Sequence, residues 1–134
     1  MKKVIRLTES DLMRIVKRII SEQVVVTVND SNISEIIKTP GKLVFIDFWA
    51  SFCAPCLKLG KVFDELSQDV LYRDSILIGK YELDFDLPIA KKLNIEKIPF
   101  VMVYKNGELV HTYKGNTNPD RYKKYMISII EKFK

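Results

Sequence analysis

Apolar positions along this chain change their period several times, and each change marks an element. Between residues 8 and 20 the spacing is helical. Leu12, Ile15, Val16, Ile19 and Ile20 recur at i, i+3, i+4, i+7 and i+8, while Arg14, Lys17 and Arg18 fall on the opposite face. Thr8-Glu9-Ser10-Asp11 precedes that stripe and predicts a helix start, with Thr8 or Ser10 as N-cap and acids in the first turn. Residues 24–28 form a β-branched run that predicts a strand. Asp30-Ser31 opens a short helical stretch holding Ile33, Ile36 and Ile37, closed by Pro40-Gly41. Residues 43–49 are apolar except for Asp47, which suits a central strand covered on both faces.

A longer helix is predicted from about Cys53, with Leu59, Val62, Phe63, Leu66 and Val70 on its inner side. Residues 75–83 predict another buried strand, and Asp86 can cap a short helix ending near Asn94. Residues 100–104 are again apolar. Asn106-Gly107 then signals a tight hairpin, across which residues 108–113 pair back. Asn118-Pro119 caps the last helix, whose buried face is Tyr122, Tyr125, Met126, Ile129, Ile130 and Phe133. From residue 24 the order is β-α-β-α-β-α-β-β-α. It predicts an α/β fold with a central mixed sheet and helices on both faces. No linker or repeat divides residues 24–134, so they are expected to form one domain, with residues 1–23 as an added leader helix.

The 134 residues are 47% hydrophobic and 29% charged, an ordinary globular balance that excludes collagen-like, low-complexity and wholly disordered chains. No window approaches the roughly 18 unbroken apolar residues of a membrane-spanning helix. Lysines and arginines outnumber acids 22 to 17. The excess is unevenly placed: Lys2, Lys3, Arg6, Arg14, Lys17 and Arg18 face only Glu9, Asp11 and Glu22 in the leader. The body is therefore nearly neutral and carries no basic stripe interleaved with aromatics, which argues against nucleic-acid binding. The leader lacks the apolar core and small-residue cleavage site of a signal peptide. It reads as a helix packed on the domain, as a docking handle for a protein or an anionic surface, or as a flexible tail.

Two cysteines exclude a multi-disulfide scaffold, but they sit together in Phe48-Trp49-Ala50-Ser51-Phe52-Cys53-Ala54-Pro55-Cys56. Cys53 falls where a central strand hands over to a helix. The first N–H groups of that helix are unpaired and carry about half a positive charge, which favours a thiolate and lowers its pKa below about 8.5. Cys56 lies about one turn on, near enough to close a small disulfide. Pro55 fits the first turn, where its missing N–H costs nothing. A zinc site would need four ligands, and beyond the two thiols the chain offers only His111. Two inert buried cysteines are a further alternative. A reversible dithiol agrees best with the motif, the strand-to-helix position and the flanking aromatics. Asp47, alone in an apolar strand, should have its pKa raised toward neutrality, unless it merely caps a loop.

Along nearly all of residues 24–134 the chain resembles the thioredoxin family. The resemblance rests on VFIDFWASFCAPC, IGKYELDFD, KKLNIEKIPFVMVYKNGELV and the Lys114-Gly115 pair. The family's usual Trp-Cys-Gly-Pro-Cys signature is altered at Phe52 and Ala54. The resemblance implies a thioredoxin fold and a cytoplasmic thiol-disulfide oxidoreductase needing no cofactor beyond a Cys53–Cys56 redox disulfide and no metal. It implies Cys53 as attacking thiol and Cys56 as resolving thiol. Asp47 would be the buried acid that relays a proton to and from the resolving thiol, with Lys80 the lysine lying near it. Pro99 would be a cis-proline against the sulfurs, and Trp49, Phe52, Ile98 and Gly115 the apolar rim that receives substrate. The implied partners are disulfide-containing proteins and a regenerating reductase such as thioredoxin reductase. Ala54-Pro55 adds no charge, so a reductant with a potential of roughly −270 mV is expected. His111, on the hairpin, reads as a surface residue. The alternative is a redox-silent binding module held in a larger assembly by its leader; IRLTESDLMRIVKRIISE faintly resembles leaders of proteins from large tailed phages.

Overall fold

The apolar runs lie side by side as one five-stranded mixed sheet in a computed structural model that describes residues 8–11, 14, 24–83, 92, 97–114 and 118–133. The elements in chain order are β1 (Val25–Val28), α1 (Ile33–Ile36), β2 (Leu43–Trp49), α2 (Ala54–Gln68), β3 (Ile76–Glu82), β4 (Phe100–Lys105), β5 (Glu108–Lys114) and α3 (Pro119–Phe133). A 3-10 turn at Arg73–Ser75 leads into β3. The strand order is β1-β3-β2-β4-β5. β1 and β2 flank β3 in parallel, whereas β4 pairs antiparallel with both β2 and β5. β2 is therefore central, as its nearly unbroken apolar run requires.

Side chains alternate along β2 and divide the core in two. Leu43 and Phe45 join Leu59, Val62, Phe63 and Leu66 of α2 and Tyr122, Met126, Ile129 and Ile130 of α3. Val44, Ile46 and Phe48 pack on the other face with Ile36 of α1. Both faces of the sheet are thus covered, and the expected mixed sheet with helices on each side is what forms. Asn106 and Gly107 both have positive φ, 52° and 83°, the geometry of the two-residue hairpin that Asn-Gly favours. The register shifts between Val103 and Tyr104, where Val110 is passed over as a bulge.

Three expectations change. Val70 does not face inward: α2 ends at the cap residue Asp69, and Val70 is 72% exposed. The Asp69 carboxylate accepts from the Leu71 N–H at 2.9 Å, a local turn that competes with another helical turn. His111 is half-buried rather than simply surface, hydrogen-bonded through Nε2 to the Tyr125 hydroxyl with the rings 5.3 Å apart. Asp30 does not cap α1; it accepts from the Tyr81 hydroxyl instead, while the Asn29 side chain accepts from the N–H groups of Ser31 and Asn32. The helix expected at 86–94 and the stripe at 12–20 lie outside the described residues, apart from Lys92 and Arg14. In the leader, Thr8 is the cap: its Oγ1 accepts from the Asp11 N–H at 3.1 Å and its own N–H donates to Asp11 Oδ2 at 3.2 Å.

Gly79 shows how tightly β3 is held. A methyl group there would collide with Val28 Cγ2 and come within 2.9 Å of Ile46 Cδ1. Gly79→Ala is therefore expected to destabilise the fold by about 1–3 kcal/mol through overpacking. Urea unfolding checks this: the midpoint should fall with little change in slope.

Candidate redox site

β2 delivers the chain to the site. Beyond Trp49, the Cys53 N–H donates to the Ala50 carbonyl at 3.0 Å, closing a turn that ends at α2. Cys53 is the N-cap of α2, with extended backbone at φ −97° and ψ 98°. Its Sγ accepts from the Cys56 N–H at 3.2 Å, and its carbonyl accepts the first helical bond from Leu57 at 3.1 Å. One of the helix's unpaired N–H groups is thereby satisfied by sulfur, the arrangement that stabilises a thiolate. Pro55 occupies the second helical position, where no N–H is needed.

Cys53 and Cys56 are joined as a disulfide, with Cα atoms 5.2 Å apart. The two sulfurs are not equivalent. Cys53 is 9% exposed and Cys56 only 1%, so an incoming sulfur meets Cys53 first. Ala50, Cys53 and Cys56 form a small buried cluster against which Trp49 and Ile98 pack. The Ile98–Pro99 peptide is cis, and Pro99 is buried at the start of β4. Phe52, at 64% exposure, and Leu57 are apolar side chains turned to the outside of the same turn and helix start. Gly115 lies outside the described residues.

Asp47 is 1% exposed, and its Oδ1 has no hydrogen-bond partner among the described residues. By alternation it shares the α2 face of the sheet with Phe45. Burial pushes its carboxyl up to about 7, with Lys80 pulling it down and Asp64 pushing it up. Lys80 is the direct cross-strand neighbour of Asp47. Its ammonium donates to Asp64 Oδ1 at 3.1 Å, passing near Gly60 of α2, whose notional Cβ would sit 3.6 Å from Lys80 Nζ.

The structure thus brings Cys53, Cys56, Trp49, Ile98 and Pro99 together at one end of the sheet, with Asp47 and Lys80 paired on β2 and β3. Sequence reasoning missed Asp64 and Leu57. Asp64 had a signal: Cys56, Gly60 and Asp64 follow at i, i+4 and i+8 on one stripe of α2. Leu57 breaks the amphipathic pattern as an exposed leucine between buried Cys56 and Leu59. Tyr122 was legible as a buried position of its helix, but only the tertiary packing shows what surrounds its hydroxyl.

Comparison with known proteins agrees with this arrangement. A family model described as Thioredoxin matches residues 24–128. The chain is 36% identical over 86 residues to thioredoxin of Chlorobaculum thiosulfatiphilum, covering 64% of this chain and 78% of that protein. It is 36% identical over 103 residues to the M-type chloroplastic thioredoxin of Spinacia oleracea, covering 74% of this chain and 56% of that protein. Among solved structures, Malassezia sympodialis thioredoxin (Mala s 13) superposes with a TM-score of 0.65 at 27% identity, covering 81% of this chain and 91% of that one. With the matched region spanning both the five-stranded sheet and the capped cysteine pair, the chain belongs to the thioredoxin family.

Proposed function

We propose that this chain is a protein-disulfide reductase that works by dithiol exchange through Cys53 and Cys56, with Asp47 relaying the proton. The observation that carries the reading is the unequal pair at the cap of α2, one sulfur reachable and one enclosed. In the reduced protein the Cys53 thiolate attacks one sulfur of a substrate disulfide. A Cys53–substrate disulfide forms and the other substrate sulfur leaves as a thiolate. Cys56 then gives its proton to the Asp47 carboxylate and attacks Cys53 Sγ, releasing the second substrate thiolate and forming the Cys53–Cys56 disulfide. The substrate has gained two electrons and, from solvent and relay, two protons.

Asp47 suits this task because its titration near 7 lets it both hold and release a proton at neutral pH. Lys80 lies beside it and favours the carboxylate form. Trp49, Phe52, Ile98 and Pro99 would receive an extended apolar segment of the substrate protein, with Gly115 completing the rim. Two electrons must return from a reductase partner of the thioredoxin-reductase kind, in a reducing compartment such as the cytoplasm. We assign this chemistry to residues 24–134 and treat residues 1–23 as an added segment available to a protein or membrane surface. Among the described residues no helix is long and apolar enough to cross a membrane.

Insulin precipitation with dithiothreitol is the direct test. The wild-type chain should accelerate it well above the reagent alone, Cys53→Ser should not, and Cys56→Ser should accumulate a mixed disulfide visible on non-reducing gels. Equilibration in dithiothreitol buffers should give a potential of roughly −270 mV; a value above about −180 mV would make the protein an oxidant instead.

Asp47 makes a separate prediction about stability. Its folded pKa, about 7, lies above its ordinary value of 3.8, so the folded state holds the proton more tightly than the unfolded chain. That stabilisation is complete below about pH 4 and is lost as pH rises through 7. Relative to Asp47→Asn, the oxidised wild type should lose up to about 4 kcal/mol between those limits. Urea unfolding of both proteins across that range checks it, and a constant difference between them would remove the buried acid.

A further inference from the structure

Three buried side-chain polar atoms stand without a hydrogen-bond partner among the described residues, Asp47 Oδ1, Trp49 Nε1 and the Tyr122 hydroxyl, and two of them lie in the core beneath α2 and α3. Those two are Asp47 Oδ1 and the Tyr122 hydroxyl. They belong to the same side of the sheet. Alternation along β2 sends Asp47 to the face of Leu43 and Phe45, and Tyr122 packs into that same cluster from α3. Tyr122 is 1% exposed and fixed by aromatic edges, with Tyr113 at 4.3 Å and Phe63 at 6.2 Å between ring centroids. α3 is tied to α2 at this level by Lys123 and Glu65, 3.0 Å apart.

Phenylalanine would fill the same slot without burying a hydroxyl, so the oxygen needs a reason. The electrostatics supply one. Burial pushes the Tyr122 phenol up, and the Asp47 charge adds to the rise. Tyr122 therefore stays protonated and can only be a donor toward a carboxylate. A water between them would find the Asp47 carboxyl and the Tyr122 hydroxyl as its two polar partners, the fewest that hold a buried water.

We propose that Tyr122 is a positioning residue for Asp47, its hydroxyl reaching the carboxyl through one buried water and favouring the carboxylate as Cys56 is deprotonated. Its consequence for turnover rests on the reading of Asp47 as proton relay; its effect on the carboxyl does not. The other groups facing Asp47 are Lys80 from β3 and Asp64 from α2, while β4 contributes Val101 opposite it and β5 contributes Tyr113 behind Tyr122. Lys80 and Asp64 engage each other, so their fields at Asp47 oppose. Tyr122 adds an uncharged donor to that balance.

A donor to the charged form lowers a carboxyl pKa, so removing it raises the pKa. In the full-length oxidised protein, carboxyl-carbon NMR should show Asp47 of Tyr122→Phe titrating about one pH unit higher than wild type. Tyr122→Leu, which lacks the ring as well, should move it in the same direction. The pH dependence of insulin reduction should shift upward with the carboxyl, and Tyr122→Phe should cause no such shift in an Asp47→Asn background. An unmoved or lowered Asp47 titration in both variants would overturn the proposal, and a raised melting temperature alongside would show an orphan hydroxyl. A moved titration with an unmoved rate profile would keep Tyr122 at Asp47 and remove the relay.

Discussion

A carboxyl group enclosed in the central strand is the constraint around which this site is organised. β2 must be apolar on both faces to sit between β3 and β4, and every departure from that rule raises the free energy of the fold. Asp47 departs from it completely, at 1% exposure. The surrounding hydrocarbon holds its proton up to about 7, and Lys80 on the neighbouring strand limits the rise. Stability and chemistry are opposed here: a methyl or amide group would spare the fold an ionisable group, but it would remove from this face of the sheet a carboxyl that titrates near neutral pH.

The sheet order explains how the parts meet. Parallel pairing of β2 with β3 sets Asp47 opposite Lys80, and antiparallel pairing of β2 with β4 sets Phe48 opposite Phe100. Pro99, immediately before Phe100, is thereby carried to the end of β2 from which the Cys53 turn departs. α2 then runs back across the same face, putting Cys56 at its start and Asp64 two turns further on, within reach of Lys80. One crossover places both sulfurs, the acid and the lysine on contiguous structure.

Much of this was legible in the residues because the signals were local. The run around β2 named its own central position, Asn106-Gly107 named its turn through two positive φ angles, and α3 showed its buried stripe through Tyr122, Met126 and Ile130. Cys53 and Cys56 were found by motif, since capping geometry follows from spacing alone. Val70 was misplaced because a helical period does not reveal where a side chain such as Asp69 will take over the backbone. His111 was misjudged for a related reason: its partner Tyr125 comes from another element, and no spacing on the hairpin signals it. Asp64 and Tyr122 fall in the same class, as their roles come from packing between α2, α3 and the sheet.

The charge distribution around Cys53 bears on the direction of electron flow. Strongly oxidising members of such chemistry stabilise the reduced thiolate with extra positive charge beside the sulfur. Among the described residues, the bond that Cys53 Sγ accepts comes from the Cys56 backbone rather than from a charged side chain. The chain's one histidine sits on the edge strand β5, engaged by Tyr125, and the ammonium of Lys80 is engaged by Asp64. Ala54 and Pro55 between the cysteines are uncharged. Among the described residues, the helix end is what favours a Cys53 thiolate, with no charged side chain bonded to the sulfur. A pair held in that way gives its electrons up, which is why the site reads as a donor to substrate disulfides rather than as a source of new ones.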